Sequence, residues 1–148
     1  GNPEKGPKGT STKVKAVKKA LLSCKKGYRL ENINSENWSS HEWLQFLRKL
    51  PKDISINKLK KLDLAFNFTN SGNAEILNAW FQLIFPTNYK AADRSLENFL
   101  MTVGRRKFLQ PIYEALHKKD APKALKIYKK ARGNYHSVTT QTLDAILL

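Results

Sequence analysis

Three consecutive cations, Arg105, Arg106 and Lys107, stand inside TVGRRKFLQP (residues 102–111), between an apolar run and the opening of a helical pattern. A helix N-terminus carries partial positive charge, so each cation there is unfavourable by roughly 0.3 kcal/mol or more. A bound anion would reverse that sign. If the helix begins near Phe108, Pro111 falls in its first turn, where a missing amide hydrogen is harmless. The three cations then lie in the connection ahead of it. In an extended segment residues i and i+2 share a face, so Arg105 and Lys107 would project together while Arg106 points elsewhere. Two cations ahead of free helix N–H groups make a site for a carboxylate or a phosphate. Solvated surface charge is the plainer reading of the same residues.

Other candidate chemistry is sparse. His41, His117 and His136 are far apart in sequence, with no carboxylate or second histidine at ligand spacing. There is no H-E-x-x-H, no phosphate-binding G-x-x-x-x-G-K-[ST], no G-x-S-x-G and no dinucleotide fingerprint. Cys24 has no C-x-x-C partner and falls on an apolar stripe, so it reads as a small core residue. One cysteine excludes an internal disulfide framework and suits a reducing, cytoplasmic setting. Trp38, Trp43, Trp80, Phe81 and Phe99 follow helical spacing and read as core, and no aromatic strand motif for base stacking is present. No catalytic residue and no metal ligand is assigned, and these residues alone are expected to be inactive.

The apolar runs are too short to span a bilayer, and the polar opening GNPEKGPKGTSTKVK lacks the apolar core of a signal peptide. A chain of 148 residues beginning at Gly1 reads as a piece of something longer. Its net charge of +15 is unevenly spread. Residues 1–29 hold nine Lys/Arg against one acid, residues 30–104 eight of each, and residues 105–132 ten against two. Two basic blocks therefore flank a neutral middle, a distribution that attracts nucleic acid, an acidic protein surface or anionic lipid.

The elements that must position these residues are helical throughout. Residues 1–11, rich in Gly and Pro, read as linker or tail. Val14, Val17, Leu21 and Cys24 mark a first helix stopped by Gly27. Ser39 with Glu42 forms a capping box, followed by the stripe Trp43, Leu44, Leu47 and Leu50, which Pro51 ends. Leu59, Leu62 and Phe66 mark a third helix, and Ile76, Leu77, Trp80, Phe81 and Ile84 a fourth. Leu96, Phe99, Leu100 and Val103 mark a fifth, with Gly104 placed to close it in a left-handed turn. Leu109, Ile112, Tyr113 and Leu116 mark a sixth, Ala124, Leu125, Tyr128 and Ala131 a seventh, and Leu143, Ile146 and Leu147 a short last one. No segment alternates with period two. The pattern predicts an all-α fold of stacked helix pairs in an armadillo/HEAT-like right-handed superhelix over residues 12–148.

Three stretches, SSHEWLQFL (39–47), GRRKFLQPIYEAL (104–116) and ALKIYKKARGNYHSVT (124–139), resemble in the same order the C-terminal domain of leukotriene A4 hydrolase and aminopeptidase B. These are zinc aminopeptidases of the M1 class. The resemblance runs over roughly residues 12–148 and implies a helical domain packed on a thermolysin-like catalytic domain of the same polypeptide. The zinc ligands belong to that other domain. It further implies that Arg105 and Lys107 bind the carboxylate of a peptide substrate and that this domain walls the active-site cleft. Arg106 would be an accessory cation, a third charge where the family tolerates an uncharged residue. The strongly basic first 29 residues are a second departure. They keep open an alternative, a free-standing basic helical-repeat module that binds nucleic acid or an acidic protein.

Overall fold

The computed structural model describes residues 5–26, 33 and 35–148. Eight α-helices account for most of them: α1 (Lys5–Lys26), α2 (Ser40–Lys49), α3 (Ile56–Phe66), α4 (Ala74–Ile84), α5 (Asp93–Thr102), α6 (Arg106–Lys119), α7 (Ala121–Ala131) and α8 (Ser137–Leu147). No strand occurs among the described residues. The fold is all-α, as the periodicities predict. The backbone of α1 reaches back to Lys5, into the stretch read as linker. Pro7 lies in its first turn, where it removes no helical hydrogen bond. Gly27, the expected stop for α1, lies outside the described residues.

The chain divides into two compact units, residues 1–68 and 69–148. In the first, α1 packs on α2. Val17, Ala20 and Cys24 are buried on α1, and Phe46, Leu47 and Leu50 on α2 and its cap. Burial pushes the Cys24 thiol above its usual range, which suits a core residue. Trp43 is only partly buried, and its ring joins Trp38, Phe46, Phe66 and Phe68 in an aromatic cluster with centroid separations of 4.6–6.1 Å. The capping box forms as predicted: the Ser39 amide donates to Glu42 Oε1 at 2.8 Å, and Ser39 Oγ accepts from the His41 amide at 3.3 Å. Ser39→Ala is expected to cost about 1 kcal/mol, read as a lower urea midpoint with unchanged slope.

The second unit is organised around α6, which packs against α4, α7 and α8, while α5 packs on α7. A single residue, Asp120, joins α6 to α7; its carboxylate caps α7 by accepting from the Lys123 amide. Trp80, Phe81, Leu100, Leu109, Ile112, Tyr113, Tyr128 and Leu143 are fully buried. Their polar atoms are tied inward. The Trp80 indole donates to Thr69 Oγ1 at 3.0 Å. The hydroxyls of Tyr113 and Tyr135 are 2.9 Å apart, and Tyr135 donates to the Leu100 carbonyl near the end of α5. This link binds α5, α6 and the turn after α7 on both sides of the Arg105 segment.

Tyr128 and Arg132 close the other end through Asp144 on α8. The guanidinium is bidentate, with Nε to Oδ1 at 3.0 Å and Nη2 to Oδ2 at 2.7 Å, and Tyr128 Oη also donates to Oδ1. Hydrogen bonds from Arg132 and then Tyr128 hold the Asp144 carboxyl down to about 2. Burial, with the neighbouring carboxylate, pushes the Tyr128 phenol up to about 12. A carboxyl whose folded pKa is depressed stabilises the fold above its unfolded pKa and loses that contribution as pH falls through the folded value. The melting-temperature gap between wild type and Asp144→Asn should therefore be full above about pH 5 and close as pH falls from about 4 toward 2. A gap that stays constant down to pH 2 would show the carboxylate charge to be irrelevant.

Candidate functional site

Helix α6 begins earlier than the sequence suggests. Arg105 is its N-cap, in extended backbone at φ −77° and ψ 122°, and its carbonyl accepts from the amides of Phe108 and Leu109. Arg106 and Lys107 are therefore the first two helical residues rather than part of an extended connection. Pro111 falls at the sixth helical position, where it removes the amide that would bond the Lys107 carbonyl. Gly104 is also not the left-handed closure expected of it. Helix α5 ends at Thr102 on an extended Val103, and a Cβ on Gly104 would meet nothing within 4 Å.

Arg105 and Lys107 are thus not an extended i, i+2 pair, but they share a neighbour. Both cations lie over the ring of Phe108: Arg105 Cζ is 5.7 Å and Lys107 Nζ 5.3 Å from its centroid. Those distances are in the range where a ring face attracts a cation, worth about 0.5–1 kcal/mol at an exposed site. Phe108 itself is buried and packs edge-on against Phe99 of α5, which fixes the platform. Arg106 departs from the pair, with Nη1 3.3 Å from Thr142 Oγ1 on α8. All three cationic residues are exposed. The first turn of α6 contains no acid, and Arg105 supplies no capping side chain, so the helix start is electropositive.

An acid does reach the pair from another helix. Glu75, in the first turn of α4, accepts from Lys107 Nζ at 2.7 Å. Asn73 caps that turn by accepting from the amides of Glu75 and Ile76. Sequence reading assigned nothing to Glu75. It stands 32 residues from Lys107, and only the packing of α4 on α6 unites them. A groove of about 790 Å³ lies between the start of α4 and α5, lined by Ala74, Leu77, Arg94, Asn98, Thr102 and, after α5, Val103.

The histidines do not assemble a site. His41 bonds Gln45, His136 caps α8, and His117 lies in the last turn of α6. Among the described residues no three of His, Cys, Asp or Glu gather as a metal-binding group. The second basic block is partly neutralised within the fold: Lys107, Lys123, Lys130 and Arg132 pair with Glu75, Asp93, Glu97 and Asp144. No helix among the described residues is long and apolar enough to cross a membrane.

Comparison with known proteins fits this architecture. Over 118 residues, 77% of this chain, it is 28% identical to leucine aminopeptidase 2 of Pyricularia oryzae. Over 111 residues, 73% of the chain, it is 27% identical to leucine aminopeptidase 2 of Neurospora crassa. The matched regions are only 19% and 17% of those relatives' lengths. A solved structure of yeast LTA4 hydrolase in complex with bestatin superimposes with a TM-score of 0.69 over 93% of this chain and 25% of that one, at 22% identity. That likeness shows the helical fold. The family model for "Leukotriene A4 hydrolase, C-terminal" matches residues 38–147, from Trp38 before α2 to the last turn of α8. The helices that carry Arg105, Lys107, Phe108 and Glu75 all lie within that span, and the chain belongs to the leukotriene A4 hydrolase C-terminal domain family.

Proposed function

We propose that this chain is the non-catalytic helical domain of a larger zinc aminopeptidase, where it walls one side of the active-site cleft and anchors the carboxylate of a peptide substrate. The carrying observation is the convergence of Arg105 and Lys107 on the Phe108 ring at 5.7 and 5.3 Å. Arg105 offers a planar fork suited to two carboxylate oxygens, and Lys107 a compact point charge. The Glu75 carboxylate at 2.7 Å from Lys107 Nζ is an intramolecular example of the contact a substrate would make. Arg106, turned toward α8, raises the local potential without joining the anchor.

The division of labour follows from chemistry. In this reading the zinc and the scissile bond belong to the rest of the parent polypeptide. When bound there, zinc supplies the Lewis acid of peptide hydrolysis. This domain's residues fix the far end of the substrate. A carboxylate held at a constant distance from the reacting bond selects peptides of one short length and converts binding into orientation. The groove between the start of α4 and α5 gives the wall its shape.

The test is tripeptidase activity of the longest natural polypeptide containing this segment, with and without zinc chelation, beside the isolated 148 residues. Zinc-dependent activity in the long chain and none in the isolated segment is the expected result. Chelation-resistant activity, or none in either, would overturn the reading.

A further inference from the structure

Resting on the reading of Arg105 and Lys107 as a carboxylate anchor, we propose that Glu75 is a specificity-determining residue, which sets the anchor to accept a monoanionic carboxylate and to disfavour dianions. Both cations share the Phe108 platform, but their electrostatic situations differ. Lys107 Nζ is held by Glu75 Oε1 at 2.7 Å, whereas Arg105 makes no ion pair among the described residues. Of the pair, Lys107 is thus compensated by an acid and Arg105 is not, among the described residues.

The placement of Glu75 is built into the fold. Asn73 caps α4 by accepting the Glu75 and Ile76 amides at 2.9 and 3.2 Å, which fixes the turn that carries the carboxylate. Trp80, on the same helix, is locked by its bond to Thr69, and α4 packs on α6. The Glu75 side chain is one-third exposed and that of Lys107 just over half, so the pair is open enough for an incoming anion to share the ammonium. The energy of one added charge scales with the charge of the ligand. Removing the Glu75 charge should thus help a dianion by the square of the factor by which it helps a monoanion.

The experiment uses the isotopically labelled chain and two probes, tri-alanine and its analogue with a C-terminal phosphonate, at a pH where the phosphonate is fully dianionic. Binding is read from the backbone amide signals of Arg106, Lys107 and Phe108, with the dispersion of all other signals reporting that each variant is folded. Glu75→Gln should tighten the carboxylate about threefold and the phosphonate about tenfold. In a Lys107→Met background Glu75→Gln should still favour the phosphonate over the carboxylate, because the Glu75 charge acts on the ligand directly. Equal tightening of both probes, no change, or weaker binding would overturn the specificity role while leaving the anchor intact. If neither probe moves these signals in wild type or in Glu75→Gln, the anchor and the role of Glu75 fall together.

Discussion

Arg105→Ala, made in the longest natural polypeptide that carries this segment, is expected to lower kcat/KM for a free-acid tripeptide about a hundredfold. A charge-assisted hydrogen bond contributes about 1.5–3 kcal/mol, and the guanidinium fork can offer two to one carboxylate. Of the pair, Arg105 makes no ion pair among the described residues, so its charge is available to substrate. Lys107→Ala should cost less, about tenfold, since Glu75 already neutralises part of that charge and the exposed pair is screened. Arg106→Ala should change kcat/KM by less than about twofold, because its side chain turns to Thr142. Steady-state kinetics of the three variants orders them. Equal losses at all three positions would indicate a diffuse basic field in place of a built anchor.

Trp80→Ala is expected to cost about 3–5 kcal/mol, a large share of what a domain of this size has to lose. Trp80 is fully buried, donates to Thr69 Oγ1 and packs edge-on against Tyr89 at 6.0 Å. Truncation leaves a cavity under α4 and orphans the threonine hydroxyl. Urea unfolding checks the value, and a loss under about 1 kcal/mol would show that the site collapses around the gap. The consequence reaches the site, because α4 carries Glu75 and a loosened α4 releases Lys107.

Much of the fold is legible because it depends on local spacing. The stripes of all eight helices fall on the observed elements, with Leu50 and Val103 one residue past the ends of α2 and α5, and the Ser39/Glu42 capping box needs only a three-residue interval. The errors occur where local rules compete. Pro111 suggested a helix starting near Phe108. Yet the Arg105 carbonyl accepts two amides and starts the helix at Arg106, and packing of Phe108, Leu109 and Ile112 offsets the proline. Gly104 resembled a left-handed stop, but Val103 ends α5 in extended backbone and needs no such residue.

The site was half legible. Arg105 and Lys107 were singled out by charge next to a helix start, and by a resemblance carried on GRRKF. The geometry first offered for them, an extended i, i+2 pair, is not the one observed. Both instead lie over a buried phenylalanine, whose role as a platform has no signature in a sequence where most stripes contain aromatics. Glu75 and the Tyr113–Tyr135–Leu100 link were invisible for a different reason: each joins residues more than twenty positions apart through helix packing alone. The two basic blocks suggested a polyanion surface, and pairing with Glu75, Asp93, Glu97 and Asp144 engages four of the ten cations of the second block within the fold.

The most direct measurement is the ratio of kcat/KM for a free-acid tripeptide to that for its C-terminal amide, taken in wild type and in Arg105→Ala of the full polypeptide. Amidation and the arginine deletion remove the two halves of one ion pair, so their effects should not add. An anchor at Arg105 predicts a ratio that falls about a hundredfold from wild type to Arg105→Ala, leaving only what Lys107 contributes. An unchanged ratio in the variant would contradict it, because the carboxylate would then be read somewhere other than Arg105.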